Sequence, residues 1–175
     1  MPATTTPPPE IDLVISFVNT YDFETGADEL DSPAALGAWL AATGMVDKGT
    51  PASGRDLRLA LRLRTALREE LAAHHDKAEA GTALDEVCGE LPLRAVGTAE
   101  ALAPSVGGVR GALARIVAAA TTARIKGSWP RLKVCPADTC RYAFYDTSRN
   151  RSRRWCSMDV CGNRSKVKAF RDRAR

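Results

Sequence analysis

The chain has 175 residues, 45% of them hydrophobic and 26% charged, which is enough for one ordinary domain and a small second one. Net charge is only +4, but residues 124–175 hold fifteen Lys or Arg against four Asp, a net +11, and the preceding 123 residues carry −7. No apolar run is long enough to span a bilayer, so a membrane-spanning role is excluded, and the acidic body with a basic end points towards nucleic acid.

Residues 1–10, Met1-Pro-Ala-Thr-Thr-Thr-Pro-Pro-Pro-Glu10, lack a basic segment and an apolar stretch. They read as a disordered leader rather than an export signal, and the expected location is the cytoplasm. The first patterned segment is Ile11-Asp-Leu-Val-Ile-Ser-Phe-Val18. Positions 11, 14, 15 and 18 fit a helix face, while 11, 13, 15 and 17 alternate like a strand. The width of the apolar face favours a buried helix. Asn19-Thr20 then reads as a turn; Asn19, Thr20 and Asp22 are the candidates for a small-molecule pocket in this part of the chain.

Ser32-Pro33 is an N-cap followed by proline at the first helical position, and a helix from Pro33 to Thr43 stops at Gly44. Leu36, Trp39 and Leu40 are its expected buried face. The longest helix is expected over 53–74, with Leu57, Leu59, Leu61, Leu63, Leu67 and Leu71 turned inward. Arg58, Arg62, Arg64 and Arg68 are expected to face outward with Glu69 and Glu70, and this helix is expected to be the centre of the core. His74 and His75 are the only histidines, and neighbours on a helix point about 100° apart, so they do not converge on a metal. Both read as exposed helix-end residues.

Thr82 to about Glu90 is a short helix containing Cys88, which reads as a small buried hydrophobe. Segments 92–97 and 101–106 suggest a short hairpin. After Gly107-Gly108 a helix runs from Val109 to about Ile125, with Leu113, Ile116, Val117 and Ala120 on one side. Gly127-Ser-Trp-Pro130 marks a boundary.

Beyond it lie Cys135-Pro-Ala-Asp-Thr-Cys140 and Cys156-Ser-Met-Asp-Val-Cys161, spaced C-x4-C-x15-C-x4-C. Two close pairs joined by a loop present four thiolates, the donor set of a tetrahedral zinc. Four cysteines leave no open position, so Cys135, Cys140, Cys156 and Cys161 point to one structural Zn2+ and not to zinc chemistry. Disulfides would need an oxidising compartment. Between the pairs, Arg141 to Asp146 suits a strand and Thr147 to Trp155 a turn; Tyr142, Phe144 and Trp155 are expected to cover the metal. The last helix carries two stripes: Val167, Phe170 and Ala174 for the module's core, and Arg164, Lys168, Arg171 and Arg175 for something outside.

Phe144-Tyr-Asp-Thr-Ser-Arg-Asn150, Arg153-Arg-Trp-Cys-Ser-Met158 and Cys161-Gly-Asn-Arg164 resemble the CGNR zinc finger family, named for that last tetrapeptide. Phe17-Val-Asn-Thr20 and Trp39-Leu-Ala-Ala-Thr-Gly44 are similar to the ABATE domain that precedes such fingers. The resemblance implies a bacterial stress-linked transcription regulator that binds DNA through the finger, with the four cysteines as its zinc ligands. The expected organisation is a leader over 1–10, a helical ABATE-like domain over 11–127 and the finger over 128–175. The fold class is mainly α (α+β with minor strands), ending in a four-cysteine finger of treble-clef-like type with a basic helix.

Arg149, Arg151, Arg153 and Arg154 from the turn, with Arg164, Lys166, Lys168 and Arg171 from the last helix, are the expected phosphate-binding set. Two alternatives stay open: a protein-interaction module in which the finger braces the fold or docks an acidic partner, and an RNA-binding variant. A homodimer is also open. There is no glycine-rich phosphate loop, no nucleophile-elbow motif and no convergent histidine set, so catalysis is not expected.

Overall fold

The structure, a computed structural model, describes residues 6–76, 81–97 and 102–173. Most of the expected leader, residues 1–5, lies outside them, as do Ala174 and Arg175. Helix α1 spans Pro9–Val18, so the helix reading holds over the strand. It starts inside the expected leader because Pro9 sits at the first turn and Glu10 and Asp12 complement the positive end of the helix dipole. Ile11, Val14, Phe17 and Val18 are fully buried along one face.

Helix α2 spans Pro33–Ala42, with the Ser32 hydroxyl accepting from the Ala35 N–H at 3.1 Å and Gly44 ending it at φ +70°. Helix α3 spans Gly54–Asp76 and α4 Ala83–Cys88. Strands β1 (Leu93–Ala95) and β2 (Leu102–Pro104) form the expected antiparallel hairpin, with Leu93 opposite Pro104. Cys88 is half-buried against the core, and burial raises its thiol above the usual value.

Helix α5 spans Gly108–Ile125 and shares the centre of the core with α3, a larger fraction of its residues being buried. Eleven of its eighteen residues are buried, six of them alanine. Small side chains let α1 and β2 approach it closely. Gly111 fits where the Val106 carbonyl crosses the helix: a Cβ there would lie 2.3 Å from that oxygen.

A 3-10 turn at Trp129–Arg131 leads into β3 (Leu132–Val134), paired antiparallel with β4 (Ala143–Tyr145), Leu132 opposite Tyr145. Leu132, Val134 and Ala143 are buried in the same core as the helices. His74, expected to be exposed, is half-buried there. Its Nδ1 lies 2.7 Å from the Leu132 carbonyl oxygen, and its ring meets Trp129 edge-on. A wide π-turn over Met158–Gly162 precedes the last helix, α6 (Asn163–Arg173). Secondary structure is mainly helical, with two two-stranded hairpins among the described residues.

Candidate metal centre and nucleic-acid surface

The β3–β4 hairpin sets the first cysteine pair. The Cys135 N–H donates to the Tyr142 carbonyl at 2.9 Å, and the N–H groups of Cys140 and Arg141 converge on the Ala137 carbonyl at 2.9 and 3.1 Å. Arg141 takes φ +46° to close this knuckle. The π-turn sets the second pair. Ser157 Oγ accepts from the Val160 N–H at 3.3 Å, and the widened turn brings Cys161 back beneath Cys156. Gly162 lets the Met158 and Trp155 side chains approach: a Cβ there would lie 2.6 Å from Met158 Sδ and 3.3 Å from Trp155 Cδ1, so the methionine would have to swing aside.

The four sulfurs, Cys135, Cys140, Cys156 and Cys161, lie within 4.8 Å of one another. Cys140 to Cys156 is 3.5 Å and Cys156 to Cys161 is 3.6 Å. A tetrahedron with Zn–S bonds of about 2.3 Å has sulfur–sulfur edges of about 3.8 Å, so the donors already stand near the required geometry. The thiols by themselves compete for charge. Burial and then the neighbouring thiols push Cys156 up, and burial pushes Cys161 up to about 11. Burial acts against ionisation at Cys135 too, but backbone N–H groups of Cys156 and Ala137 outweigh it and lower that thiol. A dication among four sulfurs resolves the conflict, since metal-bound thiols ionise outright. The cluster therefore fits one structural zinc with a closed donor set.

Phe144 is buried beside the cluster and Trp155 packs against it. Tyr142 does not cover it: it precedes β4 and is 51% exposed. The apolar stripe on α6 also departs from expectation. Val167 is 49% exposed and Phe170 69%, and α6 buries no side chain. The hairpin and the π-turn already fill the small core.

A second organiser was not read from the sequence. Lys133 and Asp146 are buried, and Lys133 Nζ donates to Asp146 Oδ2 at 2.7 Å, to the Arg151 carbonyl at 2.6 Å and to the Arg153 carbonyl at 3.1 Å. Asp146 also accepts from the Ser148 N–H and hydroxyl and from the Arg153 N–H. Burial works to raise its carboxyl, but the Lys133 ammonium and Ser148 hold it below the usual carboxylate value. This hub draws the backbone of turn 147–154 inward, with Arg151 at φ +52°, and leaves the side chains of Arg149, Arg151 and Arg154 exposed. The sequence signals that could have found it are a lysine centred in an apolar strand and an Asp two residues before a serine, the pattern of an Asx turn.

All eight residues of the expected phosphate-binding set are exposed. Arg153 is nonetheless occupied: its guanidinium donates to the carbonyls of Trp155 and Cys156 and lies 5.2 Å from the Phe144 ring centre. Arg164 reaches back to Glu24 at 3.0 Å, and Lys168 lies 3.9 Å from Asp138. Lys166 and Arg171 have no acidic partner among the described residues.

The pocket candidates are used internally. Asn19 forms a two-way clamp with β4, donating from Nδ2 to the Ala143 carbonyl at 3.0 Å and accepting the Ala143 N–H at 2.8 Å. Thr20 donates to the Phe17 carbonyl and accepts from Arg64. Asp22 accepts from Glu24 and Thr25 and closes its own exposed turn. Arg64 and Arg68, expected outside, are buried under the same loop. Arg64 makes a fork to Asp28 at 2.6 and 2.7 Å, and its two nitrogens fit that carboxylate as a planar pair. Arg68 donates to the Val18 carbonyl at the end of α1 and stacks 4.6 Å from the Phe23 ring centre. Burial, then the neighbouring Arg64 and Arg141, lower Arg68 to about 10, which leaves it charged at neutral pH.

A family model described as the CGNR zinc finger matches residues 131–174. A second, ABATE, described as "Putative stress-induced transcription regulator", matches residues 12–125. No curated protein matches the chain. Among the described residues, no helix is long and apolar enough to cross a membrane.

Proposed function

We propose that this chain, which belongs to the ABATE family and carries a CGNR zinc finger after that region, is a cytoplasmic transcription regulator that binds duplex DNA through the finger. The observation that carries the reading is the exposed cationic surface fixed by two buried organisers. The four-sulfur cluster anchors α6, and the Lys133–Asp146 hub anchors turn 147–154. Both hold backbone and release arginine side chains, which is the arrangement phosphate contacts require. Zinc, when bound, supplies shape and no chemistry, and catalysis is no part of the proposal.

The test is duplex binding by zinc-loaded protein across a salt series. Six to eight phosphate contacts give a log–log slope of roughly −5 to −7, and a flat titration would refute the reading. A second reading, in which the finger braces the fold, has one observation in its favour: β3 and β4 share the helical core and are clamped by Asn19. Absence of any DNA shift at low salt, with an acidic protein partner retained, would favour it. A small-molecule effector remains part of the proposal for the helical region, although Asn19, Thr20 and Asp22 are engaged elsewhere.

A further inference from the structure

Helix α6 is a cationic helix with two large apolar side chains that nothing among the described residues buries. At about 100° per residue, Arg171, Val167, Phe170, Lys166 and Arg173 follow one another round an arc of about 160°. Arg164 and Lys168 lie to one side of that arc, towards the acids they meet, Glu24 and Asp138. The arc therefore faces away from the protein, with Val167 and Phe170 in its middle and three cations on its margins.

Water is an unfavourable neighbour for that pair, so an occupant has to be identified from charge. A second copy of α6 would bring Lys166, Arg171 and Arg173 against their equivalents, with only Asp172 to offset them. An anionic groove with an apolar floor satisfies both features. The DNA major groove is about 12 Å wide, accepts a helix, and exposes thymine methyl groups on its floor between two rows of phosphates. Eleven residues of helix are about 16 Å long, enough to follow several base pairs.

We infer that α6 is the base-reading element: it lies in the major groove with Val167 and Phe170 against base edges, thymine methyls foremost, while Lys166, Arg171 and Arg173 hold the flanking phosphates. The inference rests on the DNA reading above and adds to it which side chains discriminate sequence.

The experiment is selection from a random duplex pool with full-length, zinc-loaded protein, wild type and Val167→Ala/Phe170→Ala. Both positions are exposed, and near-UV CD with zinc content checks that the variant is folded. The wild type should enrich a T-containing motif. The variant should lose about tenfold or more of its preference for that motif over random duplex, with random-duplex affinity and salt slope within about twofold of wild type. A Lys166→Gln/Arg173→Gln variant should do the reverse: lower affinity for every sequence and reduce the slope by about two. If the wild type binds duplex with a steep slope but enriches nothing, or if the apolar variant selects the same motif with equal strength, base reading by α6 is overturned and DNA binding stands. If the wild type binds no duplex at low salt, both readings fall.

Discussion

The substitution Lys133→Met isolates the hub beneath the arginine turn. Methionine matches the lysine stem and removes only the ammonium. Asp146, fully buried, then keeps three of its four donors among the described residues but loses the cation paired with it, and the Arg151 and Arg153 carbonyls lose their shared donor. Deleting one partner of a buried pair costs about 3–5 kcal/mol. The three remaining donors place this case at the lower end, about 3 kcal/mol, or a Tm lower by about 6–12 °C for a domain of this size. The control is Lys126→Met. Lys126 pairs with Glu10 at 3.0 Å but its side chain is 59% exposed, and such pairs contribute less than about 1 kcal/mol. Thermal unfolding of the zinc-loaded proteins by far-UV CD reads both. A Lys133→Met protein melting within 2 °C of wild type by about the same margin as the control would show that burial of the pair is not what gives it value.

Three further outcomes are expected. Asn19→Ala strands the N–H and carbonyl of buried Ala143 and should cost about 2–4 kcal/mol by urea unfolding; a loss below about 0.5 kcal/mol would mean the clamp is idle. Cys161→Ser should lower bound zinc from one equivalent to near none against a competing chelator, read by elemental analysis, and should remove duplex binding with it; full zinc retention would refute the four-sulfur assignment. The fork from Arg64, outweighing burial, holds Asp28 below the usual carboxylate value, so its contribution is fully present above the unfolded pKa and fades as pH falls through the lowered one. The stability gap between wild type and Asp28→Asn should thus be constant above about pH 5 and close in more acidic solution, whereas a gap that widens there would contradict the sign.

What could be read from sequence was local. The cysteine spacing placed all four ligands because each pair closes within one turn. Ser32-Pro33 placed the start of α2 for the same reason, and the breadth of the apolar face on α1 correctly outweighed its β-branched residues. What failed was set by distant partners. Arg64 and Arg68 share the face of Leu63, Leu67 and Leu71, and nothing near them in the chain announces Asp28 or the end of α1 as their acceptors. The share of the core taken by α5 was less visible than that of α3, because close approach favours alanine over the leucines that periodicity rewards. Val167 and Phe170 have the spacing of a buried stripe, and spacing alone does not separate a face that meets the protein from one that meets something else.

The short hairpin of β3 and β4 has one set of side chains in the helical core and its tip in the sulfur cluster, with Asn19 locking the two together. Its strands cannot loosen on one side alone. Metal affinity and the stability of the helices are therefore expected to be linked: zinc bound at the four sulfurs should raise the melting point of the helical core, and substitutions that weaken that core should lower the affinity for zinc.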